Sequence, residues 1–377
     1  MRVASYNVEN LFRRPIAFNP AKREEAGPVL AAYSELQALF DKTAYTDDDK
    51  ARMVDLLGVL GLQRNDESEW AFLRHPRGSA LKRPRSGGVT IAADGREDWI
   101  GWLELKREVV NEVAIRNTAE VIRQVDADMI AVVEAEDRPG LQRFNLDVLR
   151  LDSDEDWAES WRQGYTHTML IDGNDDRGID VGLMTRDEYP IIGMRSHVDD
   201  GPWGSPIFSR DCAEYEIAIP GGESLLLLIN HFKSKGYGGK QESDERRKAQ
   251  AARVAEIYRE RCEEGWRRIV VAGDFNDTPD SDPLGPLLEE TDLRDAGEHE
   301  AFDFGERPGT YGGTQKDQID FLLLSPGLFE TVRGGGINRR GVWHPPGSRT
   351  PWELLSELTV EEESASDHAA VWVDLDD

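Results

Sequence analysis

The sequence predicts a layered α/β fold, and three observations carry that expectation. Short apolar runs at 3–6, 129–133, 181–184, 224–229, 269–272, 321–324 and 370–373 have the length and composition of buried strands. Helix-period patterns fall between several of them. No Pro/Gly-rich linker divides the chain, so one body spanning 1–377 is expected.

Taken in order, the first run ends in Asn7 and Glu9. Residues 13–108 then interrupt the pattern as an insertion that is partly helical. Segments 29–40 and 48–60 read as helices, the second capped by Thr46 or Asp47. "RHPRGSALKRPRSGG" follows, with Arg74, Arg77, Lys82, Arg83 and Arg85 and no acid. It reads as a solvated loop or as an arm contacting phosphate through residues such as Arg83 and Arg85. Residues 109–125 form an amphipathic helix through Val109, Val110, Val113, Ala114, Val121, Ile122 and Val125. "MIAVVEAED" ends a run in Glu134, "DRGIDVGLM" sets Arg177 and Asp180 before another, and "LLLLINHFKSKG" delivers Asn230, His231 and Lys233. A charged helix is expected over 244–261. "VVAGDFNDTP" then closes a strand with Asp274 and Asn276, and Asp277 reads as a turn or cap residue. "QIDFLLLS" places Asp320, and "SASDHAAVWV" places Asp367 and His368, each just ahead of an apolar run. So many polar strand ends are hard to explain as independent turns.

Composition limits the function classes. A formal charge of −28 repels polyanions at long range, although a local basic groove or a bound metal can still recruit phosphate. Two cysteines, Cys212 and Cys262, make neither a disulfide framework nor a zinc site and suit a reducing compartment. No run approaches the length of a membrane span, and a strand-like segment follows Met1 at once. The expectation is therefore a cytoplasmic protein without a membrane partner, monomeric by default.

The strand-end residues share a chemistry. Oxygen ligands such as Glu134, Glu9, Asn7 and Asp367 suit Mg²⁺ or Mn²⁺. Asp274 with Asn276 can orient and deprotonate a water, and an Asp–His pair can hold an imidazolium against a phosphate oxygen. Together they describe metal-assisted hydrolysis of a phosphoester by in-line attack of water.

The order "SYNVENLF", "VVEAED", "DRGIDVGLM", "NHFKSKG", "GDFNDTP", "QIDFLLLS", "SDHAAV" resembles the endonuclease/exonuclease/phosphatase superfamily, which includes DNase I-like nucleases, sphingomyelinases and inositol-polyphosphate phosphatases. The resemblance covers 2–12 and about 112 onward, leaving out 13–108. It implies a four-layered α/β sandwich of two mixed sheets flanked by helices. Asn7 and Glu134 would be metal-site residues, with Glu9 and Asp367 as helpers. Asp274 would be the general base or a water-orienting carboxylate, Asn276 would bind phosphate or help orient that water, and His231 would contact the phosphate. Asp320 would pair with His368, which would stabilise the transition state. Arg177 and Asp180 would supply a phosphate or site-supporting contact, and Asn230 and Lys233 would bind substrate. The wording "NHFKSKG" before a charged helix is closest to bacterial DNase-type members, so the leading expectation is a metal-dependent nuclease with DNA favoured. In that reading Arg339, Arg340 and Arg349 flank the site with Trp343 and Trp352. The alternative is a phosphodiesterase or phosphatase for a small-molecule or lipid-headgroup ester. A non-catalytic interaction protein is disfavoured, because it would have no chemical reason to keep the whole set.

Overall fold

The computed structural model describes residues 1–9, 11–18, 23–85, 87–150, 164–175, 177–202, 204–235, 239–305, 307–348 and 352–376. The chain forms two compact units. Met1–Phe12, Val110–Lys235 and Gln241–Asp377 build the first, and the second is built on Arg13–Val109.

The first unit contains two mixed sheets. The seven-stranded sheet has the spatial order Phe302–Asp303, Val332–Asn338, Ala370–Leu375, Arg2–Asn7, Met129–Ala135, Asp180–Thr185, His167–Ile171. The six-stranded sheet has the order Ile191–Arg195, Cys212–Ile217, Leu225–His231, Ile269–Asp274, Asp320–Leu324, Arg294–Asp295. Side chains alternate with period two, so each strand feeds two cores. Val3, Ala131, Val133, Leu227, Ile229, Val270, Ala272, Leu322 and Val371 meet between the sheets. Ala4, Tyr6, Ile130 and Val132 face outward against Val121, Ile122 and Val125 of the helix Glu112–Val125. Leu226, Leu228 and Val271 face Val254, Ala255 and Ile257 of the helix Lys240–Glu263. The layers therefore run helix, sheet, sheet, helix, which is the four-layered sandwich that was expected.

That alternation positions the polar strand ends. Counting by twos from Val3, Leu227, Val270 and Leu322 brings Asn7, His231, Asp274 and Asp320 to the inner faces. Arg2–Asn7 runs parallel to Met129–Ala135 and Leu225–His231 parallel to Ile269–Asp274, whereas Asp320–Leu324 is antiparallel to Ile269–Asp274. The ends of the parallel strands and the start of the antiparallel one thus share one rim. Gly273 makes the closest approach. Its φ is +132°, and a Cβ there would lie 1.9 Å from Asn230 O, so no other residue fits beside Asp274.

Strands run longer than the apolar runs suggested, because they include the polar ends. His167–Ile171, Ile191–Arg195, Cys212–Ile217 and Val332–Asn338 were not foreseen. The first two are edge strands, the third carries Glu214 and Glu216, and the fourth is glycine-rich "VRGGGIN". The helix expected from 109 begins at Glu112, because Asn111 caps it by accepting the Val113 N–H at 2.8 Å, while Arg107–Val109 pairs as a strand with Arg13–Pro15.

The second unit has its own core of Leu36, Met53, Leu57, Leu62, Ala71, Trp99 and Leu103. Helices Arg23–Phe40 and Asp47–Val59 supply one side, and Thr46 caps the latter in a capping box with Asp49. Trp99 is buried and donates Nε1–H to Tyr45 Oη at 3.1 Å. The basic stretch is not a plain loop. Arg74 and Arg77 lie on the strand Ala71–Arg77, which pairs with Ile100–Leu105, and Lys82 lies on Leu81–Lys82. No helix among the described residues is long and apolar enough to cross a membrane.

Candidate active site

Asp274 stands at the centre of the rim, 1% exposed. Its Oδ1 accepts the Asn276 backbone N–H at 2.8 Å, and its Oδ2 accepts the carboxamides of Asn276 and Asn7, both at 3.1 Å. Two histidines face Oδ2, with Nε2 of His231 at 3.6 Å and Nε2 of His368 at 3.8 Å. Asn276 Nδ2 also donates to Phe232 O at 3.1 Å, joining the "GDFND" loop to the "NHFK" loop.

The two histidines are driven to opposite charge states. Burial alone would lower both. At His368 the charges of Asp320 and Asp274, with the hydrogen bond from Nδ1 to Asp320 Oδ2 at 2.9 Å, overcome burial and raise the pKa well above its ordinary value. At His231 burial wins, and the nearby Arg210 cation pushes the same way, so the pKa falls well below its ordinary value. Burial also raises Asp274, partly offset by His368, and raises Glu134, partly offset by Arg210 and His368. Such divergent tuning of adjacent groups marks acid–base sites.

Carboxylates crowd the neighbouring volume. His231 Nε2 lies 3.6 Å from Glu134 Oε1, His368 Nε2 lies 3.8 Å from Asp367 Oδ1, and Glu9 Oε2 accepts the Asp367 N–H at 3.2 Å. The Tyr6 phenol is pushed up first by burial, then by Glu9, Asp367 and Asp320. Asp274, Asp320 and His368 also offer one atom each within 4.8 Å of one another. An oxygen-rich set under this mutual repulsion fits a hard divalent cation. Glu9, Glu134 and Asn276 take left-handed backbone, with φ of 50°, 67° and 54°. Strain of that kind persists only where the surroundings over-determine it.

Support comes from residues to which the sequence reading gave no role, Ser366 of "SASDHAAVWV" among them. Ser366 Oγ–H donates to Asn7 O at 2.7 Å and accepts His368 N–H at 3.0 Å, tying the first strand to the last motif. Arg210, 1% exposed, donates from Nη1 to Phe232 O at 3.0 Å and meets Asp175 at 3.1 Å. Asp175 also binds Arg177 at 2.6 Å, and both guanidinium groups hold its carboxyl below the usual range despite burial. Lys233 is pushed down to about 8 by burial, with Arg177 and Arg210 adding to the effect. A cationic margin thus borders the carboxylates. Arg210 had one signal in the sequence, a charge set immediately before a strand, as in the other motifs.

Other expected residues lie elsewhere. Asn230 alternates with His231 onto the outer face, where its Nδ2 donates to Leu228 O at 3.3 Å. Asp277 is buried rather than a plain turn residue, and it meets Arg247 at 3.0 Å and Lys235 at 2.6 Å. Arg339 turns inward, donating to the carbonyls of Phe304, Arg307 and Gly309. Arg340 lies 3.6 Å from Glu353, and Trp352 donates to Val342 O. Arg349 lies outside the described residues. Within the second unit, Arg83 donates to Asp66 and to the carbonyls of Leu62, Gln63 and Asn65, whereas Arg85 is exposed.

A family model described as the Endonuclease/Exonuclease/phosphatase family matches residues 111–368. No curated protein matches the sequence. An endonuclease/exonuclease/phosphatase family protein of Bacteroides thetaiotaomicron is similar, at 17% identity over 69% of this chain and 86% of that chain, with a TM-score of 0.48. A mannosyl-6-phosphatase of the same species shares 17% identity over 70% of this chain and 91% of that one, with a TM-score of 0.47. The human Nocturnin catalytic domain, solved with bound sulfate, shares 14% over 71% and 88%, with a TM-score of 0.45. None of these likenesses carries a substrate over to this chain.

Proposed function

The chain belongs to the endonuclease/exonuclease/phosphatase family, and from that premise we propose that it is a divalent-metal-dependent nuclease that hydrolyses phosphodiester bonds, with DNA as the favoured substrate. The observation that carries the hydrolytic part is Asp274 between a histidine tuned to its cation and one tuned to neutrality. Asp274 Oδ2, held by the carboxamides of Asn276 and Asn7, receives the proton of the attacking water. His368, charged and fixed through Nδ1 by Asp320, turns Nε2–H toward the phosphate oxygen that gains charge as water attacks. Neutral His231 donates Nε2–H to the same phosphate without repelling a cation bound beside it. Glu134, Glu9, Asp367 and Asn7 would hold Mg²⁺ or Mn²⁺, which when bound polarises the phosphoryl group and neutralises its charge. Arg177 and Arg210 share the one carboxylate of Asp175, and with Lys233 they leave a local excess of positive charge in an otherwise acidic chain, which supports binding of an anionic group.

The charge of −28 favours a second reading, an esterase for a small phosphate ester, because long polyanions are repelled more than small ones. One experiment separates the two. Purified protein is incubated with plasmid, single-stranded DNA, RNA, sugar phosphates and model phosphodiesters, each with Mg²⁺, Mn²⁺ or EDTA. Polynucleotide cleavage that EDTA abolishes is expected. Turnover of small esters with every polynucleotide intact would select the second reading.

A further inference from the structure

The loop that follows Gly309 carries an aromatic ring to the edge of the site. Tyr311 is 41% exposed, and it is the one aromatic side chain exposed among the described residues of its unit. Its ring centroid lies 4.9 Å from that of His368, tilted by 56°. Isolated exposed apolar residues need no explanation, but this one touches the imidazole assigned to the reacting phosphate.

The position is held from several sides. Tyr311 forms β-bridges with His368 and Asp317. Gly312 N–H donates to Asp367 O and Ala369 N–H to Thr310 O, both at 2.7 Å. Thr310 Oγ1 accepts the N–H groups of Ile319 and Asp320 at 3.1 Å, so the same loop is tied to the carboxylate behind His368. Arg339 holds Gly309 O at 2.9 Å. Gly309 cannot be replaced without a clash, since a Cβ would lie 2.4 Å from the Gln315 backbone, yet a Cβ on Gly312 would meet nothing within 4 Å. The chain is therefore anchored on its inner side, with open space beside Gly312.

A rigid aromatic ring with an uncovered surface loses little entropy when a flat partner stacks on it. We infer that Tyr311 is a stacking platform for a nucleobase attached next to the scissile phosphate, so that the site prefers nucleoside esters over aliphatic or sugar phosphates. The inference rests on the nuclease reading given above and narrows its substrate class.

The test uses the full chain with Mg²⁺ and the dinucleoside monophosphate of two thymidines, together with two analogues in which one or other base is replaced by hydrogen. Product formation is followed by chromatography. The wild type is expected to cleave the parent about tenfold or more faster, as kcat/KM, than at least one analogue. Tyr311→Phe should keep that preference. Tyr311→Leu should shrink it to within about twofold while still cleaving the base-free analogue. Tyr311→Met, which fills similar space without a ring, should behave like the leucine variant. A preference that survives in the leucine and methionine variants overturns the inference, as does a wild type indifferent to the bases, and both leave the hydrolase reading intact. Failure of the wild type to cleave any of the three, with small phosphate esters hydrolysed, overturns the nuclease reading and this inference with it.

Discussion

His368 Nδ1 lies 2.9 Å from Oδ2 of Asp320, a residue with no solvent exposure, and this contact decides what the imidazole can do. Burial opposes the charged ring, and the carboxylates of Asp320 and Asp274 overcome it. Asp320→Asn removes one of those charges while nearly preserving shape. Turnover is expected to fall by about 10²- to 10⁴-fold, the usual weight of a positioned acid–base group. Steady-state kinetics on whichever ester proves active would check this, and near-wild-type kcat would sink the role given to the pair.

Arg247 is fully buried on the helix Lys240–Glu263 and fastens two site loops from behind. It meets Asp277 at 3.0 Å, Lys233 O at 3.0 Å and the carboxylate of Asp244, while Gln250 accepts Lys233 N–H at 2.8 Å. Arg247→Met leaves Asp277 buried with only Lys235, and the expected loss is about 3–5 kcal/mol. Adding Asp277→Leu should recover much of it. Urea denaturation of both single variants and the double variant measures the coupling, and additive losses would contradict it.

His197 sits away from the site, buried between Asp200 at 2.9 Å and Glu214 at 2.5 Å. Arg253 holds Asp200 at 2.7 Å, and Arg261 lies 3.4 Å from Glu214. Burial lowers the imidazole, but the two carboxylates raise its pKa above 6.5 overall. Its folded-state pKa exceeds the unfolded one, so its stabilising contribution is complete below about 6.5 and is lost as pH rises through the higher folded value. The stability gap between wild type and His197→Gln should therefore be widest near pH 6 and narrow above it. Denaturation curves at pH 6 and pH 9 that differ by the same amount would refute this.

Crowding of Glu9, Glu134 and Asp367 predicts that a divalent cation stabilises the fold. At a Mg²⁺ concentration of about 100 Kd the gain is about 2.7 kcal/mol, read as a rise in Tm. Glu134→Gln should lose most of that rise. In EDTA the variant should be at least as stable as the wild type, because the burial that raises the Glu134 pKa no longer opposes a charge. An equal Mg²⁺-dependent rise in both proteins would remove Glu134 from the metal set.

Arg83 and Arg85 separate within the second unit. Arg83 is spent on Asp66 and three carbonyls, so Arg83→Ala should lower stability. Arg85 is exposed, and Arg85→Ala should leave stability unchanged while reducing the slope of log K against log salt for DNA by about 0.9. An unchanged slope would take Arg85 out of nucleic-acid binding.

The strand ends carrying Asn7, His231, Asp274 and Asp320 were legible because strand alternation is local. An apolar run with period two states which face its last residue joins. The same rule turned Asn230 away, but adjacency in sequence concealed that until the cores were assigned. Edge strands such as Ile191–Arg195 escaped notice because one-sided exposure dilutes their apolar content. Arg210, Asp175, Arg247 and Tyr311 were missed for another reason. Each acts through partners brought to it by the fold, and a lone charge or ring has no periodicity of its own to betray that role.

The sequence by itself therefore determined the layers, the rim on which the polar residues gather and the oxygen-rich chemistry they offer. Tertiary structure alone decided their states. Asn7 reaches Asp274 across 267 residues and His368 lies 361 residues from Asn7. Whether an imidazole is neutral or charged depends on burial and on neighbours at a few ångströms, and those distances exist only once the two sheets have closed on each other.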